Sequence, residues 1–370
     1  MRPKKNRTPR RALMALPAAA ALMLAACGGS SDSPTLVFPP PPQTQPPAPP
    51  PPTAMADQAA CQSLTPASVG GPMPEGDTVV IRWLGTSNFE VAYRGKVILM
   101  DTYYNRPART RPIGIEVKDV KRADAILIGH AHGDHISDVA PVAAQTGAPV
   151  VGSQITSTQA IKLGVPASQT VTVTGTGGEA LKYGDITVKP THIIHSTIQT
   201  GLQQALRNLY EVDSLGPLTP EEVEQNATVG GGSSDPNLVQ QGTMGFTLEL
   251  PSGFRIMWFD SVGAMSDEEK QLAKDLGEGV DVGIYPWTPH SIAENQLAYT
   301  FPHIDLFKPK LFLPTHHDHI WNAWLDNGLE PLFMKIRDEL PGTSFISPLY
   351  RSAICIDTSG PKKGDYIVKY

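Results

Sequence analysis

One short stretch of the sequence carries four side chains of the kinds that bind metal ions. The stretch is His130-Ala131-His132-Gly133-Asp134-His135, and it follows the apolar run Ala125–Ile128. Its three imidazoles supply nitrogen ligands of intermediate softness, and its carboxylate supplies a hard oxygen ligand. Ala131 and Gly133 are small, which allows the loop to curl so that alternate side chains converge. The spacing therefore predicts a metal site at the carboxyl end of a buried strand, where α/β proteins build their sites.

The distribution of histidine and of charge excludes some classes of protein and supports a metal site. All ten histidines lie at or after His130, and six of them fall within His130–His135 and His316–His319. The formal net charge is −6, but residues 1–26 carry six basic and no acidic side chains, so the remainder holds 24 basic and 36 acidic ones. Such an acidic chain is a poor partner for nucleic acid, whose binding depends on phosphate neutralisation. Three cysteines are too few for a disulfide-dense scaffold.

The N-terminus has the order of segments found in exported proteins. Arg2–Arg11 is basic, and Ala12–Ala26 is an apolar run of 15 residues, which is short for a membrane-spanning helix. With Cys27-Gly28 the run resembles the bacterial lipobox, so residues 1–26 are predicted to be a signal peptide and Cys27 the lipidated residue. The alternatives are an ordinary secretory signal with a chance cysteine and, from Arg10-Arg11, twin-arginine export.

The predicted lipid anchor and the segment after it suggest a location. Several acyl chains on Cys27 would anchor the chain stably, because each buried CH₂ contributes about 0.8 kcal/mol. Gly28 stands where inner-membrane retention is associated with Asp, so we expect the outer membrane, facing the periplasm of a bacterial cell envelope. Residues 27–56 hold eleven prolines between Pro34 and Pro52, which predicts a polyproline II spacer of about 3.1 Å per residue. A peptide ligand is the alternative interpretation of this segment.

Residues 57–370 are expected to form one domain, because they show no repeat, no second linker and no strong change in composition. Apolar strand-like runs alternate with helical segments, which predicts layered sheets flanked by helices. Strands are expected at Thr78–Leu84, Lys96–Met100, Ala125–Ile128, Pro149–Val151, Thr170–Thr174, Ile186–Lys189, Met244–Leu250, Arg255–Phe259, Val280–Ile284 and Leu311–Leu313. Helices are expected at Ile155–Leu163, after the N-cap Thr219, from the capping box at Ser266 to about Leu276, and at Leu329–Leu340.

Two further features have alternative interpretations. Thr200–Gly242 is polar and contains Gly230–Gly232, so we expect a surface insertion that is either a lid or disordered. Cys61 and Cys355 form a disulfide in one interpretation, which suits an exported protein, and remain unpaired thiols in the other.

The pattern His-x-His-x-Asp-His after an apolar strand resembles the signature of the metallo-β-lactamase superfamily. Ile81–Gly85, Phe89–Val91 and Val97–Asp101 are similar to the opening strands of that fold and to its Asp at a strand end. The resemblance covers most of Thr78–Trp321. It implies an αββα sandwich with a binuclear metal site at one edge of the two sheets.

The resemblance implies three more ligands. The family's histidine after a strand is matched by His195, because His195-Ser196 resembles the family's His-Ser pair. The alternative is His192, which would pack behind the ligands if His195 is the ligand. An acidic bridge after a strand is matched by Asp260. The last histidine is matched by His316 in Pro-Thr-His, with His319 as the alternative. The neighbours expected to orient the ligands or meet the substrate are His317, Asp318 and His319.

Carried over residue by residue, the resemblance implies two metal-binding groups. One metal would be bound by His130, His132 and His195, the other by Asp134, His135 and His316, and Asp260 would bridge the two. The expected cofactors are two divalent ions, by default Zn²⁺, although iron and manganese are compatible with these ligands. Two cations bound there would lower the pKa of a water molecule that attacks the substrate, and Asp134 would orient that water or accept its proton.

The resemblance further implies metal-dependent hydrolysis of an ester-like bond. β-Lactamases with a cysteine ligand are disfavoured because no cysteine lies near a motif, and a bridging Asp260 is typical of the phosphodiesterase, lactonase and thioesterase branches. Trp83-Leu84-Gly85 and Gly129-His130 are similar to the branch of ascorbate-6-phosphate lactonase and the phospholipase D that hydrolyses N-acylphosphatidylethanolamines. We therefore expect a small-molecule or lipid substrate containing a phosphodiester or lactone. The alternatives are a non-catalytic binding or assembly lipoprotein and an iron-based redox enzyme on the same fold.

Overall fold

A computed structural model describes residues 53–196, 216–232, 242–277, 279–287, 293–318, 320, 328–360 and 363–370. The predicted signal peptide, Cys27 and the linker up to residue 52 lie outside the described residues. The last four linker residues differ from the expected spacer, because Thr53–Ala56 form a helical turn in which Met55 is buried. Across the described ranges, no helix is both long and apolar enough to span a membrane.

Two mixed sheets form the centre of the domain. Among the described residues the first sheet has eight strands, in spatial order β15 (Tyr366–Lys369), β14 (Ala353–Asp357), β1 (Thr78–Trp83), β2 (Phe89–Tyr93), β3 (Lys96–Met100), β4 (Ala125–Leu127), β5 (Val150–Gly152) and β6 (Thr170–Thr172). The second, counted in the same ranges, has seven: β13 (Ser344–Phe345), β12 (Leu311–Thr315), β11 (Val282–Pro286), β10 (Arg255–Phe259), β9 (Met244–Glu249), β8 (Ile186–His192) and β7 (Leu181–Tyr183). Every strand expected from the sequence is present, with its ends shifted by no more than three residues.

Helices cover the outer faces of both sheets. Their bounds are α1 (Thr53–Ala56), α2 (Ala59–Gln62), α3 (Gly133–Ile136), α4 (Val139–Thr146), α5 (Gln154–Leu163), α6 (Pro220–Ala227), α7 (Asp267–Leu276), α8 (Ala293–Phe307) and α9 (Glu330–Glu339). The local signals in the sequence place several starts correctly, because Ser266 and Thr219 each form the reciprocal capping box with a glutamate three residues later.

Three apolar clusters separate the layers and confirm the predicted αββα sandwich. The middle cluster joins the inner faces of the two sheets and includes Ile81 and Trp258. A second cluster lies between the first sheet and its helices, around Val80 and Val142. The third lies under α8 and α9, around Phe307. Alternate residues of β1 point into the first two clusters, so both faces of this strand are buried, as its continuous apolar sequence predicts.

The N-terminal segment of the domain is attached to the first sheet by a disulfide and by hydrogen bonds to a buried carboxylate. Cys61 on α2 is bonded to Cys355 on β14, with a Cα–Cα distance of 5.7 Å across 294 residues of sequence. The structure therefore agrees with the interpretation in which these two cysteines form a disulfide. Next to it, the carboxylate of Glu90 accepts the backbone N–H groups of Ala67 and Ser68 at 2.8 Å.

Candidate metal centre

The elements that carry the predicted ligands end at one common edge of the sandwich. β8 and β9 are antiparallel, as are β9 and β10, whereas β10, β11 and β12 are parallel. The carboxyl ends of β8, β10 and β12 therefore lie at one edge of the second sheet, and His195, Asp260 and His316 follow them. β4 of the first sheet delivers the loop that begins at His130, and α3 begins within it.

Three histidines form the first ligand group. Nε2 of His130 lies 2.9 Å from Nδ1 of His132 and 3.2 Å from Nε2 of His195. His130 is buried on the sheet edge, and His132 is half-buried. Three ring nitrogens that converge from two sheets form a cradle for one cation.

Asp134, His135 and His316 form the second group. Oδ2 of Asp134 lies 3.4 Å from Nε2 of His135 and 3.2 Å from Nε2 of His316. The other ring nitrogen of His135, Nδ1, lies 2.6 Å from Oδ2 of the buried Asp101. A carboxylate behind an imidazole fixes which of its nitrogens faces the metal, so Asp101 orients His135.

Asp260 lies between the two groups. Its Oδ2 is 2.5 Å from Nδ1 of His130 and 3.4 Å from Nδ1 of His135. Its Oδ1 is buried, and no hydrogen-bond donor within the described part of the chain reaches it. An ionised oxygen in that position is costly unless a cation satisfies it. The donor set and this unsatisfied oxygen together fit bound metal.

The electrostatics of the cluster also favour a cation. Burial lowers the pKa of His130 and His195, which keeps both rings neutral as metal ligands must be. Burial acts to raise the pKa of Asp134, but His135 and His316 outweigh it and the pKa lies well below its ordinary value. Burial likewise acts to lower the pKa of His135, but Asp134 and Asp101 raise it well above its usual range. The carboxylates of Asp134 and Asp101 therefore favour positive charge beside His135, and burial raises the pKa of Asp260 between the two groups.

Two further predicted residues, His192 and His317, lie outside both groups. Nδ1 of His192, at the end of β8, lies 3.8 Å from Glu268 on α7, so the structure brings His195 rather than His192 to the cluster. The ring of His317 stacks on Trp83 at 4.3 Å, and burial lowers its pKa to about 4. His319, the alternative to His316, lies outside the described residues.

Asp318 belongs to a buried charged network beside the cluster. Its Oδ2 lies 2.9 Å from Nη1 of Arg106 and accepts the hydroxyl of Tyr350. Burial acts to raise the pKa of Asp318, but Arg106 outweighs it and the pKa is lowered. No pattern in the sequence identifies Arg106 or Tyr350, whereas Asp101 is marked by its place after an apolar strand.

Comparisons with known proteins show related sequences and a shared fold. The sequence profile of the β-lactamase superfamily domain matches residues 96–317. A metal-dependent hydrolase of Cupriavidus necator is 27% identical over 276 residues, covering 72% of this chain and 84% of that protein. A metal-dependent hydrolase of Rubrobacter xylanophilus is 30% identical over 210 residues, covering 56% of this chain and 69% of that protein. A metallo hydrolase of Ignicoccus hospitalis has a TM-score of 0.52 at 15% identity, covering 76% of this chain and 100% of that chain, and shares the fold.

Proposed function

Because this chain belongs to the metallo-β-lactamase superfamily and is a metal-dependent hydrolase, we propose that it cleaves a phosphodiester or lactone bond at a centre of two divalent cations. The observation that carries the proposal is the pair of ligand groups with Asp260 between them. Each group offers three ligand atoms that lie within 4.8 Å of one another. Zinc is the proposed metal, since imidazole and carboxylate ligands suit it, and iron or manganese would fit the same donors.

The side chains around the cluster have separate tasks in this proposal. Two divalent cations, when bound, lower the pKa of water and polarise an oxygen of the substrate. Asp134 is ionised and its side chain is 16% exposed, whereas that of Asp260 is fully buried. Asp134 can therefore reach an attacking water, orient it and accept its proton. Asp260 holds the two groups together, and Asp101 keeps the ring of His135 in place.

The proposed substrate class follows from the acidic residue between the groups. In the sequence, Asp260 is the feature typical of the phosphodiesterase and lactonase branches, and no cysteine ligand of the β-lactamase type lies near a motif. Cys61 and Cys355 are joined to each other, which leaves neither as a ligand. We therefore propose a small-molecule or lipid substrate with an ester-like bond.

Residues 216–232, which we call the strap, belong to the expected insertion Thr200–Gly242 and are proposed to act as a lid; residues 200–215 and 233–241 of that insertion lie outside the described residues. Arg109 forms two hydrogen bonds with the carboxylate of Glu222, at 2.9 and 2.8 Å, and Asn226 accepts the N–H of Ala108. The strap ends on the metal-binding loop, where a Cβ at Gly232 would lie 2.2 Å from the backbone nitrogen of Gly133. Because no residue of α6 is buried, polar contacts hold the strap, and these exchange readily with water.

We also propose that the chain is lipidated at Cys27 and held at the outer membrane, facing the periplasm. The order of basic segment, apolar run, cysteine and proline-rich spacer supports this proposal. The Cys61–Cys355 bond supports it as well, because disulfides persist in oxidising compartments such as the periplasm. Radiolabelled palmitate incorporated by the native chain, and lost in Cys27→Ser, tests the anchor.

The proposed reaction is tested by metal analysis combined with a substrate panel. The purified enzyme is expected to hold two ions per chain and to hydrolyse a phosphodiester or a lactone, with activity lost on chelation and restored by Zn²⁺. Asp134→Ala should abolish turnover, and the matched control His192→Ala should retain it. If Asp134→Ala hydrolyses the substrate at the wild-type rate, the proposal is wrong. Bound metal without turnover of phosphodiesters, phospholipids, lactones or β-lactams would favour a binding protein. Iron in protein from its native host, together with no hydrolysis of any of these substrates, would favour redox chemistry.

A further inference from the structure

The metal-binding histidine at the end of β12 has an unusual backbone conformation. His316 has a φ of 56°, and Thr86, which faces it, has a φ of 49°. Residues with a Cβ seldom occupy this left-handed region, because the Cβ approaches the carbonyl oxygen. A residue stays there only when its surroundings hold it. The contacts of His316 should therefore include groups that fix its backbone.

Thr86 connects His316 to Asp318. The N–H of His316 donates to the carbonyl of Thr86 at 2.9 Å. The N–H of Thr86 donates in turn to the carboxylate of Asp318, with both oxygens 3.0 Å away. The same carbonyl of Thr86 accepts the hydroxyl of Thr315 at 2.6 Å and the indole N–H of Trp83 at 2.8 Å. Through these bonds Asp318 holds the backbone of His316, the ligand that lies two residues before it in the sequence.

Asp318 is itself held on its other side. It is 2% exposed, and its Oδ2 lies 2.9 Å from Nη1 of Arg106. The hydroxyl of Tyr350 donates to the same oxygen. Gly85 makes room for this arrangement, because a Cβ there would lie 2.9 Å from Nη1 of Arg106. Because separating the partners of a buried ion pair leaves an uncompensated charge, Arg106 keeps the carboxylate of Asp318 in place.

We propose that Asp318 is a positioning residue of the metal centre, which fixes His316 so that its Nε2 faces Asp134. The inference rests on the proposed two-cation function. Among the contacts of the described residues, Asp318 reaches none of the three ligands of the second group directly, and it acts through Thr86. Its effect falls on the group of Asp134, His135 and His316, because His316 is the ligand whose backbone it holds through Thr86, and His316 does not belong to the other group.

The test compares two aspartate variants by cobalt binding to the metal-free full-length protein. Asp318→Asn keeps the shape of the side chain but removes the charge that faces Arg106. Asp281→Asn is the matched control, since Asp281 is also buried, accepts the N–H of Arg255 at 2.9 Å and pairs with Lys310 at 2.8 Å. Asp281 precedes β11, at the edge opposite the site. Titration calorimetry gives the affinity of each Co²⁺ ion, and visible absorption reports its coordination.

We expect the wild-type protein and Asp281→Asn to bind two Co²⁺ ions alike. Asp318→Asn should bind one ion with wild-type affinity and the other roughly 10–100-fold more weakly, with a changed visible spectrum. Two ions bound by Asp318→Asn with wild-type affinity and spectrum would overturn the inference and leave the two-cation proposal intact. A wild-type protein that binds a single ion would overturn both.

A milder variant covers the case in which Asp318→Asn does not fold. Tyr350→Phe removes one hydroxyl donor to the carboxylate and leaves Arg106 in place. It should weaken the same single ion by several-fold, and unchanged binding of both ions by this variant would contradict the inference. A higher concentration of Co²⁺ should restore the wild-type spectrum of Tyr350→Phe, which is the result expected for a positioning role.

Discussion

Gly129, which precedes the first ligand, offers a direct steric test of the metal centre. A Cβ at this position would lie 2.0 Å from Cγ, 2.1 Å from Oδ2 and 2.4 Å from Oδ1 of Asp260. Ordinary contact with a Cβ begins at 3.4 Å, so in Gly129→Ala the carboxylate must move by about 1.4 Å. Asp260 is 1% exposed and has no open space into which it can move without displacing its neighbours.

The displacement should remove Asp260 from between the ligand groups. Its 2.5 Å contact with His130 would lengthen beyond hydrogen-bond range. A misplacement of about 1 Å costs on the order of 100-fold in rate, which corresponds to about 2.7 kcal/mol. We expect Gly129→Ala to lose at least one metal ion per chain and to show kcat/KM lowered by roughly 100-fold or more.

The assay measures metal content by mass spectrometry and kcat/KM on the substrate identified from the panel. Gly342→Ala is the control, because no atom lies within 4 Å of the Cβ it would add. Circular dichroism and the melting temperature of both variants separate loss of the site from loss of the fold. A folded Gly129→Ala protein with wild-type metal content and wild-type kcat/KM would refute the assigned role of Asp260.

Three further predictions follow from the structure. His195→Ala should lose metal and activity whereas His192→Ala should lose neither, and metal analysis distinguishes the two; equal loss in both would contradict the assignment of His195. Replacing Cys61 and Cys355 by serine should lower the free energy of unfolding by about 5 kcal/mol, since the closed loop spans 294 residues; guanidinium titration measures this, and an unchanged midpoint would contradict it. Glu222→Gln should release the strap, raise its rate of limited proteolysis several-fold, and change KM by a larger factor than it changes the metal content. Proteolysis at the wild-type rate would argue against a lid held by that contact.

Local signals in the sequence were sufficient to predict several elements. The capping boxes at Ser266 and Thr219 involve residues three apart, so their hydrogen bonds can be anticipated without knowing the rest of the chain. The loop that begins at His130 is equally local, because its ligands lie within six residues. Apolar runs identified the strands because both faces of each sheet are covered.

Contacts between residues far apart in the sequence decided the questions that local patterns left open. The choice between His192 and His195 depends on β8, which continues past its expected end at Lys189 and pairs His192 with Met244 of β9. Arg106 reaches Asp318 across 212 positions of sequence, and no local pattern marks that contact. Helix α8 contains Pro302 and was not predicted, yet Ile304 and Phe307 pack into the third apolar cluster and outweigh the cost of proline.

The position of β14 beside β1 determines when the domain can fold. Thr78 pairs with Asp357, so the first strand of the domain waits for a partner about 280 residues later in the chain. At a synthesis rate of 5–20 residues per second this interval lasts roughly 14–56 s. Throughout it, one edge of β1 presents unpaired N–H and C=O groups that can pair with other chains. Assembly of this enzyme is therefore a late event, and its nascent chain depends on being kept apart from others until β14 has been made.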